Sequence, residues 1–354
     1  MATVMLASPV RPETLRELCQ RVLEHRGIPG GDAAYVAQTL VEADLRGIHS
    51  HGSMRLGRYA RELDSGITNP SPRIVTLEEG PAFARVDGEG GLGQLVGKFA
   101  MEVCIDKTRT AGSATVTASR SRHFGAAGNF SAMALPADLI GIAMTVASPR
   151  LAPTGGTLPL FGNNPISMAV PGDQDFPLVI DAAVGSIAAG KLELAAAAGE
   201  SLPPGLARDL DGNPTTDPRI ALGGTIVPIG EHKGFGLTLL IEILAGLLGG
   251  SPYFGVAREE VGEHVKQIGI EHFFMAIDPA RFMPLASFKR TVAEVVHRTK
   301  GSPVMAGVDE IYMPGEIEEM RRRQSVKTGI PLAASTVEML RELERECGGR
   351  DLTA

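Results

Sequence analysis

The chain of 354 residues contains no tryptophan, and only 5% of it is aromatic, so the core it builds is aliphatic. Its three cysteines, Cys19, Cys104 and Cys347, are odd in number and widely spaced. They offer neither a disulfide framework nor a metal-ligand spacing, which fits a reducing compartment. Positive charge is not in excess: 34 Lys and Arg stand against 41 Asp and Glu, a net charge of −7. That balance argues against nucleic acid or an anionic membrane as a partner. Long apolar runs are missing too. The most hydrophobic stretch, residues 237–248, is interrupted by Glu242 and falls short of the ~18 residues a spanning helix needs. The N-terminus shows no basic region followed by a long apolar run, as a secretory signal would. What is present is 44% hydrophobic residues, enough for a large core, with too little glycine and proline for low-complexity disorder. The expectation is a soluble, cytoplasmic, globular protein of about two domains.

Apolar spacing predicts three helices in the first 65 residues. The first carries Leu15, Leu18, Cys19, Val22 and Leu23 inward and closes at Gly27 and Pro29. The second is capped by Asp32, buries Val36, Leu40 and Ala43, and stops at Gly47. The third runs from about Met54 to Ser65 and buries Leu56, Tyr59 and Leu63. The turn Asn69-Pro70-Ser71-Pro72 reads as a boundary. Beyond it, strand-like runs occupy 82–86, 114–118, 140–146, 178–181 and 273–278, and helices return at 287–299, 316–323 and 337–347. The expected fold is α+β: a helical segment 1–75, a mixed-sheet domain 76–284, and a C-terminal helical segment 285–354 packed on the first.

Gly88, Gly90 and Gly93 satisfy G-x-G-x-x-G between a strand and a helix, the setting of a Rossmann phosphate site. Such a site needs an acidic residue about 20 positions on to hold the ribose. Between Asp106 and Asp138 there is no Asp or Glu at all. Arg120 and Arg122 leave open a site for a 2′-phosphate, but a Gly-rich turn is the preferred reading.

The connector Ile48-His49-Ser50-His51-Gly52 carries more chemistry. Ser50 is placed to cap the third helix, and Arg55 and Arg58, four and seven residues after His51, share a helix face with it. A histidine titrating near neutrality beside arginines suits proton transfer on a small anion. A capping histidine with surface ion pairs fits the same spacing. His123 ends a strand and precedes Phe124-Gly125-Ala126-Ala127-Gly128-Asn129, a small-residue entry to a helix that a ligand can approach closely. Lys233-Gly234-Phe235-Gly236 opens the helix containing Glu242 as a candidate phosphate cradle, and Asp181 closes an apolar run. Three function classes stay open: an oxidoreductase on a small carboxylate, a metal-dependent hydrolase using His49, His51 and one of His123, His232 or Asp181, and a non-catalytic binder.

These residues also carry a resemblance. The runs Glu42-Ala43-Asp44-Leu45-Arg46-Gly47, Ser50-His51-Gly52, Arg55-Leu56 and His123-Phe124-Gly125-Ala126-Ala127-Gly128 resemble the type-2 malate/L-lactate dehydrogenase family. So do Ala152-Pro153-Thr154-Gly155-Gly156, Asn164-Pro165, Pro214-Thr215-Thr216-Asp217-Pro218, His232-Lys233-Gly234, Pro314-Gly315-Glu316 and Gly329-Ile330-Pro331-Leu332. The resemblance implies a homodimeric oxidoreductase that uses NAD or NADP in a non-Rossmann nucleotide-binding domain. Its substrates would be 2-oxo or 2-hydroxy acids, or cyclic imino acids such as piperideine-2-carboxylate, with no resident metal. It implies His51 as proton donor and acceptor, oriented by Ser50, with His123 as a second candidate. Arg55, with Arg58 and Thr154, would bind the substrate. Ser148, Asn164, Ile180, Asp181, Ala182, His232, Lys233, Gly234, Pro314, Gly315 and Glu316, with His123, would contact the dinucleotide, and Asp181 would double as a catalytic carboxylate in imine-reducing relatives. The chain departs from the family where Gly57 replaces a common proline, where Asn163 replaces threonine, and over 252–268, which lacks a frequent Pro-rich loop. These departures bear on substrate identity.

Overall fold

The computed structural model describes residues 9–250, 257–261 and 264–348. Helix α1 (Pro12–His25) starts on a proline, whose missing N–H is no loss in the first turn, and buries the five residues its spacing selects. Helix α2 (Gly30–Leu45) begins two residues before Asp32, after Pro29, with no side-chain cap. Asp32 therefore sits inside the first turn, where its charge favours the helix dipole, rather than capping it. Two 3₁₀ turns, His49–His51 and Ser53–Arg55, lead into α3 (Leu56–Asp64), which buries Leu56, Tyr59, Ala60 and Leu63. Gly57 lies within this helix, where a Cβ would meet Met339 Sδ at 2.9 Å, so its lack of a side chain admits a neighbour.

Strands β1 (Val75–Gly80) and β2 (Phe83–Asp87) form a hairpin, and α4 (Gly93–Ala111) crosses to β3 (Ser113–Ser121), parallel to β2. The short α5 (Gly128–Ser131) precedes β4 (Ile140–Thr145), and β5 (Pro149–Leu151) pairs with β6 (Phe161–Gly162). Then come β7 (Ile166–Val170), β8 (Leu178–Ala182) and α6 (Ala189–Ala198). Strands β9 (Ala207–Arg208), β10 (Pro214–Thr215) and β11 (Thr225–Ile226) make a small sheet beside α7 (Pro218–Gly223). Helix α8 (His232–Ile241) continues as a π turn over Glu242–Leu247. Strands β12 (Ala257–Val261) and β13 (His264–Ile277) form a hairpin before α9 (Leu285–Lys300), α10 (Glu316–Thr328) and α11 (Ala334–Glu346). Residues 252–256 and 262–263 of the 252–268 stretch lie outside the described residues.

The main sheet runs β1-β2-β3-β13-β4-β7-β8, with β12 beside β13. Every neighbouring pair is antiparallel except β2 and β3, whose parallel pairing requires the crossover that α4 supplies. Strand β13, late in sequence, inserts at the centre, with Phe274 opposite Val116 of β3 and Ala143 of β4. This is the mixed, mostly antiparallel α+β sheet expected. One face packs Val96, Ala100, Met101 and Cys104 of α4 onto Val86, Val116, Phe130 and Phe274. The other carries Met144, Phe161, Phe273, Ile241 and Ala245. A third core joins both halves of the sequence: α1, α2 and α3 close on Leu92, Leu95, Ile330, Leu332 and the Val337 and Leu340 face of α11. Helix α9 sits elsewhere, tied through Lys289 to Asp138 (3.1 Å) and Asp173 (3.6 Å). No helix among the described residues is long and apolar enough to cross a membrane.

Candidate active site

The connector after α2 is folded around one buried carboxylate. Asp44, 1% exposed, accepts the Ser53 N–H at 2.7 Å and holds His49 Nδ1 at 2.9 Å. A Cβ on Gly52 would lie 2.1 Å from Asp44 Oδ1, so only glycine lets the turn close over that carboxylate. Asp44 thus serves the start of the Ser53 turn, the task expected of Ser50. Ser50 instead sets its hydroxyl 2.9 Å from His51 Nδ1. Arg55 donates its Nε to Ser50 O at 2.6 Å, which aims the rest of the guanidinium away from the turn. Arg58 spends its Nε on Glu62 at 2.6 Å.

His123 arrives from the end of β3, and its ring stacks on that of His51, centroids 5.6 Å apart and 14° from parallel. His123 Nδ1 meets Tyr59 Oη at 2.7 Å, and Gln94 Nε2 donates to the same oxygen at 2.9 Å. Gly93 makes this approach possible: a Cβ there would be 2.2 Å from Arg122 O and 2.7 Å from His123 C. The G-x-G-x-x-G run is therefore a packing joint between α4 and the strand bearing His123. Arg120 turns to Asp87 at 2.8 Å, Arg122 reaches Ile67 O, and neither lines the cavity described next.

These groups open on a cavity of about 740 Å³, within the ~300–1,000 Å³ usual for ligand and cofactor sites. Its wall includes Ser50, His51, Arg55, Arg58, His123, Ser148, Ile180, Asp181, Pro314 and Gly315. Gly125, Ala126, Ala127 and Gly128 line it with nothing larger than a methyl group. Asp181 Oδ2 accepts the Gly128 N–H at 2.7 Å, joining β8 to that small-residue run. The carboxyl opens on the cavity, yet protein surrounds it and pushes its pKa up to about 6, against the Gly128 N–H and aided by Glu318. Burial, then the charge of Arg55, lowers His51 to about 4. His123 is also held well below its ordinary value, by burial and then by His51, Arg58, Arg55 and His272. Two stacked imidazoles beside two arginines do not both hold protons.

Other residues expected at the site lie off this wall. Asn164 is fully buried, holding Glu242 Oε2 (2.9 Å) and the Ala147 N–H (2.9 Å). Glu316 pairs with Lys300 and accepts the Met313 N–H at 2.9 Å, so its carboxylate closes the turn before α10. His232 and Lys233 are exposed at the start of α8, and Gly234 permits contact with Ile229, whose carbonyl would sit 2.4 Å from a Cβ. Thr154 is exposed in the loop between β5 and β6, and Ala182 is exposed at the end of β8. The wall also recruits Arg46, which lies in a quoted motif without an expected role, and four residues that no motif announced: Arg150, Lys191, Glu318 and Glu319. A metal-hydrolase reading needs three clustered ligands, and among the described residues no three His, Cys, Asp or Glu side chains come together. His49, its proposed partner to His51, is turned onto Asp44 instead.

Comparison with known proteins agrees with this geometry. The malate/L-lactate dehydrogenase family pattern matches residues 10–341. The L-sulfolactate dehydrogenase of Methanocaldococcus jannaschii is 40% identical over 342 residues, covering 96% of this chain and 97% of its own. The malate dehydrogenase of Pyrococcus horikoshii is 38% identical over 338 residues, covering 93% of this chain and 92% of its own. The solved structure of the latter superposes with a TM-score of 0.88 over 98% of this chain and 97% of that one, at 35% identity. A delta1-piperideine-2-carboxylate reductase from Pseudomonas syringae pvar. tomato superposes at 0.84 with 31% identity, over 95% of this chain and 100% of that one. A match that spans almost the whole chain settles the class: the chain belongs to the malate/L-lactate dehydrogenase family and is an oxidoreductase.

Proposed function

We propose that the cavity interconverts small 2-oxo and 2-hydroxy acids of the malate and lactate type with NAD or NADP, and that its nucleotide site is of a non-Rossmann kind. The observation that carries this reading is the convergence of the His51 imidazole and the Arg55 guanidinium on one cavity with a floor of glycine and alanine. That floor, free of bulk from Gly125 to Gly128, fits a flat ring laid against the backbone, and Ser148, Ile180, Asp181, Pro314 and Gly315 would hold the remainder of a dinucleotide. The dinucleotide, when bound, supplies or accepts hydride at C2 of the substrate.

The chain's own residues do the rest. Among the described residues the two terminal nitrogens of Arg55 have no hydrogen-bond partner once its Nε is spent on Ser50 O, and they fit a carboxylate bidentately. The bound carboxylate offsets the Arg55 charge, the smaller of the two causes that depress His51 after burial, and so strengthens the hold of the imidazole on a proton as substrate arrives. His51 then donates to the developing alkoxide in reduction, or accepts the hydroxyl proton in oxidation. Arg150 and Lys191, on the same wall, suit the second anionic group of a dicarboxylate or a sulfonate.

The helical segment 1–75 and the part of 285–354 beyond α9 would act as one domain against the 76–284 sheet domain, to which α9 is tied through Lys289, in a homodimer. Support for the dimer lies in α8 and its π turn, where Leu237, Leu240, Ile243, Leu247 and Leu248 are exposed along one side. The test of function is a panel of 2-oxo acids and cyclic imines, each with NADH and NADPH, followed at the nicotinamide absorbance. The expected result is turnover of a 2-oxo acid, highest for one with two negative groups. Turnover of cyclic imines alone would replace this reading.

A further inference from the structure

Both histidines line the same cavity, but their second nitrogens are held in different ways. His51 Nδ1 faces the hydroxyl of Ser50, a half-buried group that rotates to donate or to accept. His123 Nδ1 faces Tyr59, whose side chain is fully buried and whose oxygen already accepts from Gln94 Nε2. Gln94 is 1% exposed, and its Oε1 has no hydrogen-bond partner. Turning that amide over would put the NH₂ where the carbonyl now goes unpaired and exchange an unpaired acceptor for an unpaired donor, the rarer and costlier of the two in a buried site. The amide therefore donates to Tyr59, and the single phenolic proton goes to His123 Nδ1.

We propose that Gln94 and Tyr59 are positioning residues that hold His123 as its Nε2–H tautomer, so that it presents a fixed hydrogen-bond donor to the substrate oxygen and leaves the mobile proton to His51. What the two imidazoles do rests on the reading of function above; which nitrogen of His123 carries the proton does not. The charges that act on His123 are those of His51, Arg58, Arg55 and His272, with Tyr59 bonded to its ring, while the Asp181 carboxyl lines the same cavity. A second proton on the ring would add to those positive charges, and Tyr59 would have to turn its hydroxyl proton from Nδ1 to a Gln94 amide that itself had turned over. The glycines before Gln94 belong to the same device, since Gly93 brings α4 against the His123 backbone and so brings Gln94 within reach of Tyr59.

The test is a two-bond proton–nitrogen correlation spectrum of ¹⁵N-labelled full-length protein from pH 5 to 8, with ring signals assigned through His51→Asn and His123→Asn. The expected spectrum shows His123 protonated at Nε2, bare at Nδ1 and unchanged across that range. In Tyr59→Phe the same ring becomes a mixture of tautomers, and kcat for 2-oxo acid reduction falls about tenfold with KM for the dinucleotide unchanged. A proton on Nδ1 in the unmutated protein, or a His123 that titrates within the range, overturns the lock. So does a pure Nε2–H ring in Tyr59→Phe. Should that variant not fold, the unmutated spectrum decides alone. A locked His123 in a protein that reduces no 2-oxo acid supports the lock and overturns the functional reading instead.

Discussion

Replacing His51 with alanine is expected to lower kcat for 2-oxo acid reduction by about 10²–10⁴-fold, the usual contribution of a positioned acid. The loss should fall on kcat rather than on substrate KM, because Arg55 takes its position from Ser50 O and not from the imidazole. Stability should change little: the ring is only half-buried, and its hydrogen bond is to the adjacent Ser50 hydroxyl. The measurement is steady-state kinetics beside a thermal unfolding midpoint. Cyclic imines provide an internal control. An iminium nitrogen is already protonated, so the same variant should lose much less activity on them. Equal losses on both substrates would mean that His51 shapes the site without moving a proton.

Arg55→Ala should be the second large effect, raising substrate KM and cutting kcat/KM by about a hundredfold or more, as expected for losing charged hydrogen bonds of about 3 kcal/mol. Arg55→Lys keeps the charge and loses the fork, so roughly a tenfold rise in KM is expected with kcat nearly intact. Dissociation constants for the dinucleotide, measured by fluorescence titration, should be unchanged in both. An Arg55→Lys enzyme with normal KM would show that the guanidinium does not grip the carboxylate, and Arg58 or Arg150 would then become the candidate.

Several of these residues were legible before any coordinates, for identifiable reasons. His51, Arg55 and Arg58 are neighbours in sequence after a glycine stop, which keeps them close, but two 3₁₀ turns with extended backbone at Gly52 stand where their spacing predicts one helix face. Leu15, Val22, Leu40 and Leu56 are core because apolar spacing within a helix survives folding unchanged. Roles set by distant partners were not legible. Asn164 and Lys233 belong to motifs, yet one faces Glu242 across the core and the other faces outward. Ser50 has the side chain of a cap, but Asp44 took that place because α2 ends with its carboxylate under the turn. The long strand β13 was read only over 273–278 because its first half, His264 to Glu271, is largely polar and lacks an apolar run. Tyr59 read as plain core, and Gln94 carried no signal at all. A lone amide on a buried helix face declares its purpose only once the phenol beside it is known.

The central claim is that a carboxylate held by Arg55 raises the affinity of His51 for its proton. Isothermal titration of oxamate into the enzyme saturated with whichever of NADH and NADPH it binds, repeated near pH 5.5 in buffers of different ionisation enthalpy, tests it directly. His51 alone holds its pKa at about 4, from burial and then from the charge of Arg55. Neutralising that charge raises the pKa, and a group whose pKa rises on binding takes up protons at any pH between its free and bound values. The account predicts proton uptake on binding that disappears in His51→Asn while oxamate still binds. Uptake of the same size in that variant, or no uptake in the unmutated enzyme, would contradict it.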